Sequence, residues 1–585
     1  MPSYSVPLRD MKFVYNELFD PTEISALPSF EDATEDLINP ILEEAARLAE
    51  NELFPLNTSG DLEGCQFDNG HVTTPQGFID AYRQYAEGGW VGLPCDPKYG
   101  GQGIPAAINV LMEEMACSAN VSFAPYVGLT RGAYRAVNTF ANDDLKNQFL
   151  PKMVSGEWSG TMCLTEPQCG TDLGLIKTKA TLQSDGTYTL SGTKIFITAG
   201  EHDLTQNIIH LVLGRLPDAP KGIKGISLFL VPKFLPDTEG NPSTRNPIFC
   251  ARIENKMGIK ASATCEMNLD GATGWLIGEP HKGMRAMFTM MNNERLVVGL
   301  QGVGLSDRAY QGALEYARER VQCAAPGTRE RGAIIHHPDV RRMLMTMRSL
   351  TEAGRAVAYA TAAQIDLSHK AKTPEARGLA NKRVGLLTPI AKGWCTEASQ
   401  EVTSLGVQVH GGMGFVEETG AAQHQRDARI LTIYEGTTGI QALDLVGRKT
   451  LFDQGAAMAD LVQQMRDDLA KHGHGVNQTQ QHNMAEAING LESCYQLLLE
   501  QAPDDVMFAG SVSYDLLMLS GYVCGAWQMV RSADLVASED NLRFKTNKLA
   551  TAAYYLDHIL PRFEFHRRSI VAGSHSVMAI AAVDM

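Results

Sequence analysis

The chain changes its hydrophobic period twice. From residue 39 apolar residues recur at helical spacing, with Ile41, Leu42, Ala45, Ala46 and Leu48 on one face and Glu43, Glu44, Arg47 and Glu50 on the other. Asn39 reads as an N-cap with Pro40 at the first helical position, and helical spacing resumes over residues 106–118 and 144–154. Near Gly160 the pattern gives way to β-branched and aromatic runs at 187–198, 208–213 and 226–231. Asp185-Gly186, Pro217, Pro220, Gly222 and Gly240-Asn241-Pro242 punctuate them. From about residue 281 the helical period returns, through 287–320, 337–367 and 374–405, then 457–469, 484–499, 504–532 and 542–570. Long helices joined by short loops predict a bundle. The order therefore predicts an α+β chain in five segments: an N-terminal extension (1–38), an N-terminal helical domain (39–159), a β domain (160–280), a helical bundle (281–450) and an additional C-terminal helical domain (451–585).

A chain of 585 residues has room for several such domains. Its net charge of −16 disfavours nucleic acid or an anionic membrane as the main partner, because both require a positive face. The eleven cysteines are scattered with no CxxC pair, which fits free thiols in a reducing compartment such as the cytoplasm. Charges interrupt residues 1–19, so no secretory signal is expected there, and the apolar stretch 516–530 is too short to span a bilayer and reads as a buried helix. No metal site is expected, since the histidines are isolated. Gly302-Val303-Gly304 lacks the third glycine of a dinucleotide fingerprint and follows no strand, and no P-loop occurs. A nucleotide cofactor would have to be held in another way.

Four runs carry candidate chemistry. Met162-Cys-Leu-Thr-Glu-Pro-Gln-Cys-Gly-Thr-Asp172 sets glycine beside hydroxyl residues, either a backbone cradle for a phosphate or a plain turn. Lys194-Ile-Phe-Ile-Thr-Ala-Gly200 lies on a strand, where Phe196 either walls a flat ring or packs in the core. Gln408-Val-His-Gly-Gly-Met-Gly414 is followed by Ile433-Tyr-Glu-Gly-Thr-Thr-Gly-Ile-Gln441. Glu435, between an aromatic and a glycine in an apolar stretch, is either a carboxyl raised by desolvation into the range of a general base or a helix N-terminal acid held by the dipole.

In composition, order and spacing these runs resemble the acyl-CoA dehydrogenase family, over residues 40–450 and, for a longer subgroup, most of the remainder. The resemblance implies FAD at the junction of β domain and bundle. It places Met162, Leu164, Thr165, Gly170 and Thr171 along FAD, Phe196 and Thr198 against the isoalloxazine, and Thr437 at the flavin nucleotide. Arg320, Gln408, Gly411 and Gly412 match contacts to the FAD of a neighbouring subunit, which implies an oligomer; the extra helical domain favours a homodimer. The implied reaction is α,β-dehydrogenation of an acyl-CoA. A carboxylate takes the α proton, the enolate-like oxygen is held by the base residue's own N–H and a ribitol hydroxyl, and the β hydride passes to flavin N5. Electron transfer flavoprotein is the implied acceptor. An acyl-CoA oxidase would carry the same motifs, and a DNA-binding flavoprotein relative is disfavoured by the acidic charge.

Two glutamates compete for the base. Glu435 matches the position most of the family uses, while Glu294, in Asn292-Asn-Glu-Arg295, matches the bundle-helix position of a minority that lacks the first carboxylate. Glu435 is the assignment favoured here, with Glu294 a structural partner and Arg295 a substrate-side arginine near the active site. Departures from the family pattern are Gln168 and Cys169 in the first run, Phe196 where tryptophan is common, Gly439 in place of a polar contact, and His336-His337 in place of a His-Gln pair. Length and the Tyr434–Leu445 run are similar to those of the bacterial subgroup that converts 3-methylmercaptopropionyl-CoA to methylthioacryloyl-CoA in dimethylsulfoniopropionate breakdown. Related long enzymes oxidise ordinary short- and medium-chain acyl-CoAs.

Overall fold

The computed structural model describes residues 4–19 and 21–585. The first three residues of the expected N-terminal extension, and Asp20 within it, lie outside the described residues. The chain divides into two compact units. One consists of Arg47–Ile104 and Ala119–Glu294; the other of the described residues of Met1–Ala46 with Pro105–Ser118 and Arg295–Met585. The division cuts across the five expected segments, since Pro105–Ser118 falls with the long helices.

The first unit contains a seven-stranded sheet whose pairings close on themselves. Thr264–Ile277 pairs with Tyr188–Thr198, which pairs with Lys179–Leu182; a single bridge links that strand to Asn207–Arg215, which pairs with Ile226–Pro232, which returns to Thr264–Ile277. Ile248–Ile253 and the parallel strand Trp158–Cys163 are added at the sides. Asn207–Arg215 and Ile226–Pro232 are buried along nearly their whole length, which is why they read as unbroken apolar runs instead of alternating ones. Thr264–Ile277 gave no such signal. It is bulged at Cys265/Met267 and at Asp270/Ala272, and Gly271 sits in the second bulge at φ +77°. Leu190, Ile197, Val212, Phe229, Ile248 and Met267 are among the core residues of this sheet.

The second unit is helical. Gly283–Glu319 contributes all but its first turns, followed by Pro338–Lys370 and Pro374–His410, close to the expected spans. Ala106–Ala119 joins them, its first two N–H groups donating to the Asp366 carboxylate at 2.9 and 2.8 Å, a cap supplied by a neighbouring helix. The helix expected to start after Asn39 begins instead at Glu35 and carries Pro40 inside it. The N–H groups of Leu37 and Ile38 already close the first turn on the Thr34 carbonyl, so Pro40 forfeits one later bond and does not set the boundary.

The apolar stretch 516–530 is a buried helix, Phe508–Leu535, as expected. Its glycines let it approach Pro374–His410: a Cβ on Gly521 would lie 2.2 Å from Cγ of Trp394. The single helix expected over 542–570 is corrected to Leu542–Tyr554, a π-helical turn at Tyr555–Ile559, and Arg562–Ala572, broken before Arg562 by Pro561. Among the described residues no helix is long and apolar enough to cross a membrane.

Candidate active site

Glu435 lies on the turn between the 3₁₀ segment Arg429–Thr432 and the short helix Thr438–Leu443, which Thr437 caps through its hydroxyl. It is not the first residue of that helix, so the dipole reading of its sequence position does not hold. Glu435 adopts φ +55° and Gly436 φ +92°. Two successive left-handed residues, one of them not glycine, are a costly backbone arrangement that the surroundings must enforce. The enforcement is visible. Lys392 Nζ donates to the Gly436 carbonyl at 2.7 Å, Gln441 Nε2 donates to the Glu435 carbonyl at 3.2 Å, and the Tyr434 hydroxyl donates to Gln301. The N–H of Glu435 has no hydrogen-bond acceptor among the described residues.

The Glu435 side chain is half-buried. Burial pushes its carboxyl up to about 7, against the opposing pull of Arg295 and Lys392. Lys392 is fully buried, and burial lowers its ammonium to about 8 despite Glu435 nearby. Arg295 is 6% exposed and donates to Asp444 at 3.3 Å, while its buried Nε finds no partner among the described residues. The carboxyl and the lysine, both poised near neutrality, can hold and release a proton at physiological pH, while Arg295 stays charged beside them.

Glu294 belongs to the other unit, on the first turns of Gly283–Glu319, and is 5% exposed. Its carboxylate is fitted against the glycines of Ala124–Phe140. A Cβ on Gly132 would lie 2.9 Å from Oε1, and one on Gly128 would lie 3.6 Å from Oε2. The neighbouring Asn293 accepts a hydrogen bond from Arg135. Glu294 is thus enclosed by packing, on regular helical backbone, whereas Glu435 sits on a strained and partly open turn.

The Met162 and Lys194 runs are brought together. Lys194, 0% exposed, donates to the Glu166 carboxylate at 2.8 Å and to the Leu164 carbonyl at 3.0 Å, and the N–H of Ile195 donates to the Thr165 carbonyl at 2.9 Å. Glu166 also accepts from the N–H groups of Lys177 and Thr178 and from the Thr178 hydroxyl. Burial alone would raise it, but these donors, led by Lys194, hold its carboxyl down to about 2. Lys194→Met is expected to destabilise this unit by about 3–5 kcal/mol by stranding that charge. Adding Glu166→Gln should recover a large part of the loss, as read by denaturant unfolding followed through tryptophan fluorescence.

Around this strut Leu164 and Thr165 are half-buried and Gly170 and Thr171 are exposed. Met162, expected beside them, lies on the strand Trp158–Cys163 at 8% exposure. Phe196 is not a core residue: it is 60% exposed and held at φ +57°, with the half-buried Thr198 two residues on. Cys163 is a buried packing thiol pushed up to about 12.

Arg320, Gln408, Gly411 and Gly412 are all exposed. The ends of their two helices meet where Tyr316 packs against His410, the rings tilted and their centroids 4.5 Å apart. A Cβ on Gly411 or Gly412 would meet nothing within 4 Å, so these glycines leave room beyond what the chain itself fills. His337 braces the adjoining hairpin by bonding to the Gln322 carbonyl at 3.0 Å, a structural role. Among the described residues no cluster suited to a metal occurs. Sequence reasoning missed Lys392, Gln301 and the Glu166–Lys194 pair. Lys392 did leave a signal, a lone lysine in the apolar run Leu386–Cys395.

Comparison with known proteins gives concordant results. The acyl-CoA dehydrogenase N-terminal, middle and C-terminal domains match residues 38–157, 161–272 and 281–450, and an acetyl-CoA dehydrogenase C-terminal-like domain matches 458–581. The chain is 44% identical over 569 residues to 3-methylmercaptopropionyl-CoA dehydrogenase of Ruegeria pomeroyi, covering 95% of this chain and 96% of that one. It is 34% identical over 589 residues to a butyryl-CoA dehydrogenase of Syntrophomonas wolfei, covering 96% and 95%. In fold it is similar to a Bacillus anthracis acyl-CoA dehydrogenase complexed with FAD, at a TM-score of 0.76 and 22% identity, covering 94% and 90%.

Proposed function

The chain belongs to the acyl-CoA dehydrogenase family, and from that premise we propose that it oxidises 3-methylmercaptopropionyl-CoA to methylthioacryloyl-CoA with Glu435 as the base. It is an FAD-dependent enzyme acting on the CH–CH bond of an acyl-CoA. The observation that carries the residue assignment is the Glu435 turn: a half-buried carboxyl at φ +55°, raised to about 7, beside two cations. The substrate assignment is supported by the 44% identity to the Ruegeria enzyme over nearly the whole of both chains.

The residues present fit FAD. Phe196 offers an exposed aromatic face that the backbone holds out of the core, with Thr198 beside it. Leu164, Thr165, Gly170 and Thr171 would flank the cofactor, Met162 through its strand backbone only. Arg320, Gln408 and the open Gly411-Gly412 pair would reach the cofactor of a second copy of the chain, so the proposed working unit is an oligomer, with a homodimer favoured by the additional C-terminal domain. When bound, FAD supplies the hydride acceptor for the β carbon.

The chain's own part is proton chemistry and placement. Glu435 takes the α proton in its ionised form. Its unbonded N–H is available to the thioester oxygen as charge develops there, an electrostatic contribution that needs no rearrangement at the moment of reaction. Arg295, buried and bonded to Asp444, orients the site and limits the rise of the Glu435 carboxyl. Electron transfer flavoprotein is the proposed acceptor for the electrons.

A second reading, general short-chain activity, is favoured by the 34% identity to a butyryl-CoA dehydrogenase. A thioether sulfur is close to a methylene in size, and one such group discriminates by only about 10–200-fold. Anaerobic titration with an acyl-CoA panel, read by bleaching of the flavin absorbance, tests the assignment. 3-Methylmercaptopropionyl-CoA is expected to bleach at least as completely and as fast as butyryl- or octanoyl-CoA. Faster bleaching by butyryl-CoA favours the second reading, and flavin that no thioester bleaches rejects both. Rapid peroxide formation in air would replace the flavoprotein acceptor with oxygen.

A further inference from the structure

We infer that Lys392 is a positioning residue for the base: its buried ammonium pins the Gly436 carbonyl and thereby fixes both the Glu435 carboxylate and the N–H beside it. The inference rests on the reading of Glu435 as the base. Lys392 lies in a stretch of the helix Pro374–His410 whose Leu386, Leu387, Ile390 and Trp394 are all at most 3% exposed, and is itself 0% exposed. An ammonium is strongly hydrated and costly to bury, and a buried lysine normally lies against a carboxylate. Lys392 forms no ion pair with a carboxylate among the described residues; its one hydrogen bond goes to the Gly436 carbonyl at 2.7 Å.

The groups facing this turn show why that matters. Arg295 approaches from Gly283–Glu319 but is engaged by Asp444, which also pairs with Arg448 at 3.6 Å. Glu397, on the same helix as Lys392, accepts from the Thr438 hydroxyl at 2.6 Å. Lys392 is therefore the nearby cation whose charge no bonded acid takes up, and it is tied to the carbonyl of the residue that follows the base. Glu435 and Gly436 are both left-handed, and a Cβ on Gly436 would come within 2.7 Å of Gln441 Nε2. Without the Lys392 bond the Gly436 carbonyl keeps only the Gln441 amide, at 3.4 Å.

The test is single-turnover bleaching of the FAD-loaded enzyme by 3-methylmercaptopropionyl-CoA and by butyryl-CoA across pH 5.5–9, with acyl-CoA dissociation constants measured alongside. Lys392→Gln keeps a donor but removes the charge. It is expected to move the midpoint of the rising limb upward by roughly one pH unit, because the carboxylate loses a stabilising cation, with dissociation constants within about twofold of wild type. Lys392→Met is expected also to lose about 10²-fold at the plateau through misplacement of the base, and Lys392→Arg to restore the midpoint. An unmoved midpoint in Lys392→Gln, or a loss confined to the dissociation constants, overturns the inference. If Lys392→Met does not fold, the Gln and Arg variants decide it alone. Wild-type bleaching by Glu435→Gln would overturn the base assignment itself, and with it this inference, whatever the lysine variants do.

Discussion

Glu435→Gln is expected to fold, to retain FAD and to bind acyl-CoA, yet to bleach roughly 10⁴-fold more slowly than wild type, the upper end of what a positioned general base supplies. The amide is close in size to the carboxyl and leaves the 435 N–H in place, so binding and oxyanion contacts survive while the proton acceptor is lost. Glu294→Gln run in parallel separates the two candidates: its carboxylate sits on regular helix packed against Gly128 and Gly132, and its loss is expected to change bleaching by less than about tenfold. Full loss in Glu294→Gln with activity kept in Glu435→Gln would move the base to the helix Gly283–Glu319.

The same carboxyl sets the pH profile. With Glu435 at about 7, kcat/KM should rise with pH and level off above neutrality, because only the ionised form accepts the proton. Stability runs the other way. A carboxyl whose folded value lies above its ordinary 4.5 takes up a proton on folding, so the folded state loses stability as pH rises from about 4.5 to 7. Glu435→Gln has no proton to lose. It is expected to be about 1–2 kcal/mol more stable than wild type at pH 8, a figure discounted for the half-exposed side chain, and indistinguishable at pH 5. Thermal melts at the two values check this, and a variant less stable at pH 8 would remove the premise that the site holds a costly charge.

Much of this was legible because period and punctuation survive in a single sequence. The change from helical spacing to β-branched runs and back located the sheet, and the long helices after residue 281 were read within a few residues. Boundaries failed where a local rule was overridden by a partner elsewhere, as at Pro40, or where bulges erased the alternation, as in Thr264–Ile277. The site was legible as motifs but not as roles. Glu166, Glu294 and Glu435 are the same residue type in apolar surroundings, yet one is bonded by Lys194 and Thr178 and held at about 2, one is packed against glycines, and one is left short of partners and raised to about 7. What separates them is the number of donors each meets, which is a property of the fold. Lys392, 43 residues before Glu435, contributes to that difference from another helix, and spacing alone could not have linked them.

A buried network in which Arg355 gathers several acids makes the second large prediction. Arg355, 1% exposed, donates to Asp10 at 2.6 Å and to Glu114 at 2.6 and 2.9 Å, with Asp307 3.5 Å away. Lys548 binds the other Asp10 oxygen and Glu352, so one network joins the N-terminal extension, the helix Pro338–Lys370 and the helix Leu542–Tyr554. Burial alone would raise Asp10, but Lys548 and Arg355 hold it down to about 2. Arg355→Met strands Glu114 and weakens the hold on Asp10 and Asp307, and is expected to cost about 3–5 kcal/mol. The sign with pH is fixed. Without the guanidinium the folded values of Asp10 and Asp307 rise, so the variant's folded state binds more protons than wild type's, and the deficit grows as pH rises. The variant should therefore melt far below wild type at pH 8 and less far below at pH 5.5. A deficit that is small, or equal at the two values, would mean that packing alone ties the extension and the C-terminal helices to the bundle.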